Sequence, residues 1–172
     1  MHTLYHHEID VIEATIRQCS VCFIGVVDAN NLPYVLPMNF GYHNKTIYLH
    51  SAPAGKIIDA LNRNPNICIT FCPPSELVAQ HPEVACSFRM RGKSIVVNGV
   101  VRFVEDMDEK RNVFDILMGQ YTKKTFAYSD PAIKNVKVWE VKVDDWTCKE
   151  FGTPPNTYPN QREMISGHSN KP

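Results

Sequence analysis

The chain has 172 residues, of which 44% are hydrophobic, so it is long enough for one well-packed domain and short for two. Eighteen basic and 18 acidic residues give a formal net charge of zero. The net charge therefore does not favour binding to nucleic acids or to membrane surfaces. The sequence contains no run of about 20 apolar residues that would suit a membrane span. The N-terminal segment MHTLYHHEID lacks the basic start and apolar run of a signal peptide, so we expect a cytoplasmic location.

The predicted elements begin with a short amphipathic helix over residues 6–18, because Ile9, Ile12 and Ile16 recur at helical spacing. Three strands joined by tight turns follow at 21–27, 34–42 and 46–50. A second helix carries Ile57 and Leu61 on its apolar face and ends near 64–65. The first part of the chain is therefore predicted to be a helix, a three-stranded meander and a helix.

The second part is predicted to continue with a strand at 66–71, a proline-containing surface loop at 72–83 and a long strand at 87–104. Asp106 is placed to cap a third helix that reaches about 121, and a last strand covers 136–143. From residue 151 proline, asparagine and glycine are too dense for regular structure. The pattern predicts one domain over 1–150, built as an all-β or α+β barrel of about six strands and three helices, with an irregular tail over 151–172.

The cysteines are better explained as buried free thiols than as disulfides or metal ligands. Cys19 and Cys22 have the spacing of half a zinc site, but no second C-x-x-C or H-x-x-H pair accompanies them. We therefore expect no metal site. The six cysteines are Cys19, Cys22, Cys68, Cys72, Cys86 and Cys148.

The segment YLHSAPAGKIIDAL, residues 48–61, has the composition of a phosphate-binding helix start. Ser51 is placed to cap the helix, and Gly55 lets a ligand approach the backbone. Lys56 opposes the helix dipole unless an anion sits beside it, and a phosphate would supply that anion. The alternative is a solvated lysine at a frayed helix start. His50 precedes this segment and is a weak candidate for a catalytic histidine, although a lone histidine is more often structural.

Two other segments have the chemistry to contribute to a binding site. In LPMNFGY, residues 36–42, Pro37 favours an edge strand, and Met38, Asn39 and Phe40 offer an amide and apolar surface suited to a flat heterocycle. The alternative is an ordinary edge strand. In FRMRGKSIVVNGVV, residues 88–101, the alternating cations Arg89, Arg91 and Lys93 suit either a phosphate or a solvated strand face. No G-x-S-x-G, Walker A or G-x-G-x-x-G motif is present, which disfavours hydrolase, P-loop and Rossmann functions.

Together, the segments CFIGVVDANNLPYVLPMNFGY, IYLHSAPAGKIIDALNRNPNICI and RGKSIVVNGVVRFVED resemble the pyridoxamine 5′-phosphate oxidase-like flavoproteins, especially the nitroimidazole reductase-related branch. The resemblance runs from about residue 9 to 146. It implies a six-stranded, FMN-binding Greek-key split barrel that forms a homodimer with FMN between the subunits. The oxidase members carry an arginine-lysine pair where this chain has Gly55-Lys56, which argues against vitamin B6 oxidase activity.

The resemblance also implies which residues contact the cofactor. Met38, Asn39 and Phe40 would line the isoalloxazine, and His50 and Ser51 the ribityl-phosphate side. Gly55 and Lys56 would hold the phosphate. Lys93 and Ser94 would approach from the long strand, while Trp139 or the proline-rich tail would come from the partner subunit.

The expected function is an FMN-dependent reductase that takes electrons from NADH or NADPH to a small oxidised molecule such as a nitroaromatic or a quinone. The flavin would carry the redox chemistry, and the protein would supply position and access. The alternative is a non-catalytic module that binds flavin or haem.

Overall fold

The computed structural model describes residues 2–143 and 145–154, which form ten β-strands and four α-helices. The strands are β1 (His2–His6), β2 (Cys22–Val27), β3 (Pro33–Met38), β4 (Gly41–His43), β5 (Thr46–Ser51), β6 (Asn66–Phe71), β7 (Glu76–Ala79), β8 (Phe88–Val104), β9 (Lys137–Lys142) and β10 (Trp146–Thr153). The helices are α1 (Ile9–Arg17), α2 (Lys56–Arg63), α3 (Met107–Gly119) and α4 (Asp130–Lys134), and a 3₁₀ turn covers Ala85–Ser87. None of the described helices is long and apolar enough to cross a membrane.

The strands form one antiparallel sheet in the order β3-β2-β6-β8-β9-β5-β4, with β7 and β10 also paired to β8, and β1 paired to β10. The 17-residue β8 joins the two halves of this sheet. Its middle pairs with β6 and β10, and its end pairs with β9. A strand that changes partners along its length curves the sheet around a core, so the architecture is the split barrel predicted from the sequence.

The barrel interior is filled by the alternate residues that each strand points inward. Phe40 and Phe71 meet edge to face with their ring centroids 4.9 Å apart, and Ile24, Ile69 and Val97 are fully buried around them. Helix α2 covers this core with its apolar face. Helix α3 packs on the opposite side of the β4–β5–β9 half, over a smaller buried cluster that consists of Val104, Val113, Leu117 and Val138.

Asp106 caps α3 as predicted, since its side chain accepts hydrogen bonds from the N–H groups of Asp108 and Glu109. Two differences from the predicted elements come from pairings between distant segments. The predicted first helix begins only at Ile9, because His2–His6 pairs with β10. The predicted loop at 72–83 contains β7, because Glu76–Ala79 lies against the start of β8.

The predicted irregular tail starts later than residue 151. Phe151 pairs with Gly92, and Thr153 pairs with His2, so the chain remains a strand to that point. Gly152 has φ of +75°, and a Cβ there would lie 2.1 Å from the Met90 carbonyl oxygen. The close approach of these two strands explains why glycine stands there. Residues 155–172, and with them the rest of the predicted tail, lie outside the described residues.

Candidate functional site

Helix α2 begins at Lys56 with its first turn open to a ligand. Its N-cap is Gly55, at φ of +136°, and a Cβ at that position would meet no atom within 4 Å. Within the described residues no side chain caps this helix, and the Ser51 hydroxyl donates instead to the Ala52 carbonyl at 2.9 Å. The predicted cap at Ser51 is therefore wrong, because the chain turns into the helix four residues later. The first N–H groups of α2 keep the capacity to bind an anion.

Lys56 already has one anionic neighbour. Its Nζ lies 3.0 Å from Asp28 Oδ2 and 4.4 Å from the centroid of the Tyr34 ring. The Leu32 N–H, the Lys56 ammonium and the Asn30 N–H hold the pKa of the Asp28 carboxyl below its ordinary value. The Lys56 side chain is still 55% exposed, so its ammonium has room for a second acceptor. A phosphate here would share the lysine with Asp28.

His50 lies at the end of β5, shortly before α2 in the sequence, with its ring half-buried. The ring centroid is 5.5 Å from that of Phe114 on α3, and Phe114 in turn lies 5.6 Å from Tyr128. Burial lowers the pKa of His50 below its ordinary value of 6.5, since the apolar surroundings disfavour the charged ring. The neutral imidazole offers one donor and one acceptor nitrogen.

The β3–β4 connection lies next to His50. Gly41 pairs with Tyr48 in the antiparallel β4–β5 ladder. Asn39 lies two residues before Gly41 and His50 lies two residues after Tyr48, so both lie past the same end of this ladder. Asn39 is exposed and Met38 is partly buried. The register therefore brings Asn39 of the Met38–Asn39 segment towards His50.

Phe40 has a different position from the one expected. Its side chain is fully buried against Phe71, and its N–H donates to the Tyr121 hydroxyl at 2.9 Å. The expectation that the Phe40 ring lines a flavin is not compatible with this position, because a core side chain presents no face to a ligand. Phe40 instead fixes the backbone from which Asn39 projects.

Trp139 is also placed in the core, with no exposed surface. It pairs with Leu49 and Phe103 in the sheet, and its indole nitrogen is buried without a hydrogen-bond partner among the described residues. A side chain enclosed by its own subunit cannot cover a flavin held by another one. We therefore remove Trp139 from the candidate site.

Lys93 and Ser94 point to opposite faces of β8, as consecutive strand residues must. Lys93 belongs to the inward row with Ile95 and lies 4.0 Å from Glu150 at the end of the barrel. Ser94 belongs to the outward row. The two residues therefore cannot both approach one flavin, and only Ser94 faces outward.

The outward rows form a surface that sequence reasoning did not resolve into particular residues, and we call it the outer face. It consists of cross-strand neighbours on β3, β2, β6 and β8, which are Pro33, Val35, Pro37, Phe23, Gly25, Val27, Asn66, Cys68, Thr70, Val96, Asn98 and Val100. Val35 is 63% exposed and Val100 is 58% exposed. With Phe23 and Val27 they form a group of exposed apolar side chains, which is typical of a protein interface.

Residues 8–150 match the family model described as pyridoxamine 5′-phosphate oxidase. This match covers most of the chain and agrees with the split barrel. The protein belongs to this family. No curated protein matches the sequence significantly.

Among solved structures, the chain is similar to a candidate 5-nitroimidazole antibiotic resistance protein from Bacteroides thetaiotaomicron, with 50% identity, 87% of each chain covered and a TM-score of 0.80. It shares its fold with a flavocytochrome from Azotobacter vinelandii, at 19% identity over 94% of this chain and 75% of that one, with a TM-score of 0.76. The chain also shares this fold with an FAD- and haem-binding protein from Mycobacterium smegmatis, at 15% identity over 95% of this chain and 80% of that one, with a TM-score of 0.75.

Proposed function

We propose that this protein is an FMN-dependent reductase that transfers electrons from NADH or NADPH to a small oxidised molecule, such as a nitroaromatic or a quinone. The observation that carries the proposal is the 50% identity, over 87% of both chains, to the candidate 5-nitroimidazole antibiotic resistance protein. Reduction of the nitro group is a direct chemical route to inactivating such an antibiotic.

The geometry at α2 fits the phosphate end of FMN. Three features meet at this helix start. They are the N–H groups that no described side chain caps, the Gly55 backbone and the half-exposed Lys56 ammonium. Ser51 is near enough in sequence to add its hydroxyl. A phosphate monoester dianion would face these donors, while Asp28 on the far side of Lys56 keeps the lysine in place.

The ring of the flavin would extend from this helix start along the Met38–Asn39 segment towards His50. Asn39 offers an amide that can bond to ring carbonyls and nitrogens. Bound FMN would supply the redox chemistry, accepting a hydride and passing electrons to the substrate. His50, whose pKa burial lowers, would hold or donate a proton at one ring nitrogen beside that path.

We propose further that the protein works as a homodimer through the outer face. A second copy would cover the exposed apolar residues of β2, β3, β6 and β8, and closed two-fold symmetry is the commonest solution for such a surface. Ser94 lies in the same outward row as Val96, so the flavin edge would be enclosed where the two copies meet.

The test is the identity of the bound chromophore and its response to a nicotinamide. Purified protein should show flavin absorbance, release FMN on denaturation, and lose its yellow colour anaerobically when NADH or NADPH is added. Subsequent addition of a nitroimidazole or a quinone should restore the colour. A flavin that no nicotinamide bleaches would point to a non-catalytic flavin-binding module, and a Soret band would point to haem; either result would contradict the reductase.

A further inference from the structure

A cleft of about 520 Å³ opens at the end of the barrel, away from the helix start of α2. It lies where β6 has ended and β7 has not begun. Phe71 is the last β6 residue paired with β8, opposite Ile95, and Glu76 is the first β7 residue, opposite Arg91. Within the described sheet, residues 92–94 of β8 therefore have a strand partner only on the β10 side.

The sequence explains why this gap stays open. The connection from β6 to β7 contains Pro73 and Pro74, which lack the N–H groups that a sheet ladder needs. Ser75 then folds over Gly92, and a Cβ on Gly92 would lie 2.4 Å from the Ser75 Oγ. The prolines keep the loop from continuing the ladder, and Gly92 lets Ser75 pack against β8 at one end of the gap.

Charged groups from four strands surround the cleft. Glu150 Oε2 lies 2.9 Å from the His6 ring and 4.0 Å from Lys93 Nζ, so the carboxylate is held mainly by the histidine. Arg91 lies 3.5 Å from Glu76. Of the two cations Arg91 and Lys93, Lys93 therefore lies farther from its described carboxylate partner.

We propose that this cleft is a second binding site, which takes a small monocarboxylate that also carries an amide. The carboxylate would bind Lys93 and Arg91. The amide would bond to the free edge of β8 at residues 92–94, as a short added strand does. A dianion such as phosphate is disfavoured, because Glu76 and Glu150 flank the two cations and would repel the second charge. The site does not depend on flavin binding.

N-Acetylglycine is a suitable probe, since it combines one carboxylate with one amide. When N-acetylglycine is titrated into the flavin-loaded protein, the backbone amide NMR signals of Gly92 and Lys93 should shift. The shifts should give a Kd of about 1 mM, which is the range for so small a ligand. N-Acetylglycinamide, which has the same shape without the charge, should bind at least about tenfold more weakly.

Variants separate this site from nonspecific binding. Lys93→Gln and, independently, Arg91→Gln should each weaken N-acetylglycine about tenfold, while Glu150→Gln should strengthen it a few-fold by removing a negative charge. Lys149→Gln is the matched control, since Lys149 is the next residue to Glu150 on β10, points to the other face and lies over Tyr5.

The proposal is overturned if wild-type protein does not bind the probe at 20-fold the expected Kd of about 1 mM, or if Lys93→Gln and Arg91→Gln bind it as wild type does. It is overturned also if the probe displaces flavin or shifts signals at α2 instead of β8. Because the readout is an amide shift at β8, failure here leaves the flavin proposal untouched, and failure of the nicotinamide test leaves this one untouched.

Discussion

Asp28 and Lys56 show how one pair of residues ties two elements of the candidate site together. The Asp28 side chain closes the turn between β2 and β3 by accepting from the N–H groups of Asn30 and Leu32, and its second oxygen holds Lys56 at the start of α2. Arg63 at the other end of the helix donates to the Asp28 and Ala29 carbonyls. The helix start is thus fixed relative to the hairpin before any ligand binds, which favours binding.

Lys56→Ala should weaken FMN binding by about tenfold to 100-fold, the range for losing a charge-assisted hydrogen bond to phosphate. Lys93→Ala is the matched control and should leave FMN affinity unchanged, because Lys93 lies at the barrel end beside Glu150. Affinities would be measured by fluorescence quenching of FMN titrated into apoprotein. Equal affinity of the Lys56→Ala variant and wild type would show that the phosphate lies elsewhere.

His50 should make the protein less stable as the pH falls. Its pKa is lowered in the folded protein, so below the unfolded value of 6.5 the unfolded chain binds the proton more readily than the native one. The favourable contribution of the neutral ring is complete above pH 6.5 and is lost as the pH falls towards the folded pKa.

Urea unfolding of apoprotein at pH 7.5 and at pH 5.5, two conditions that bracket the ordinary histidine value of about 6.5, measures this effect. His50→Asn should reduce the loss of stability between the two conditions. His43→Asn, at an exposed residue of β4, should behave as wild type. An unchanged pH dependence in the His50→Asn variant would contradict the assignment to this ring.

At the scale of elements, the contact between α3 and β4 determines where the β3–β4 connection lies. A Cβ on Gly41 would lie 2.9 Å from the Leu117 nitrogen and 3.0 Å from its Cα, so strand and helix backbones are in direct contact. Tyr121, just beyond α3, accepts from the Phe40 N–H and donates to the Ser20 carbonyl. The helix therefore holds the backbone on both sides of Phe40, next to Asn39.

Gly41→Ala should destabilise the fold by about 1–3 kcal/mol, because the rigid helix backbone can move away only at the expense of its own packing. The matched control is Gly119→Ala, where a Cβ would meet no atom within 4 Å and the residue is helical. That variant should be as stable as wild type or slightly more so. Chemical unfolding of the three proteins gives the comparison, and equal midpoints for both variants would refute the close contact.

At the scale of the whole molecule, one side of the barrel is left without cover by the helices and strands that the structure describes. Helices α2 and α3 pack on other parts of the sheet, and the outer face keeps Phe23, Val35 and Val100 between 42% and 63% exposed. Gly25 lies in the middle of this face and adds no side chain to it. Exposed apolar side chains of this kind can be buried against a second copy in a two-fold interface.

The protein should sediment as a dimer at low micromolar concentration. Val35→Glu should produce monomers that keep the native fold, because the side chain is already 63% exposed in the single chain and a buried charge at the interface costs several kcal/mol. Leu77→Glu is the matched control on β7, 65% exposed but outside the outer face, and should remain dimeric. A wild-type monomer that still binds FMN tightly would contradict the shared site.

The sequence by itself determined the elements whose signals are local. Local sequence patterns predicted β2, β5, β6 and β9 within a residue or two, and Asp106 marked the start of α3, because strand propensity and capping depend mainly on neighbouring residues. The split barrel was implied by the family resemblance of three segments, and the Lys56 helix start was predicted from residues 48–61.

Only the tertiary structure decided which residues share a surface. β1 and β7 are strands because distant segments pair with them, and no local pattern reports such a partner. Trp139 and Phe40 have aromatic rings that could contact a flavin, but both rings are buried in the core. Lys93 and Ser94 are adjacent in sequence but lie on opposite faces of β8. The chemical type of a residue determines what its side chain is able to bind. The pairing register of the sheet determines whether that side chain faces the core, the cleft or the outer face.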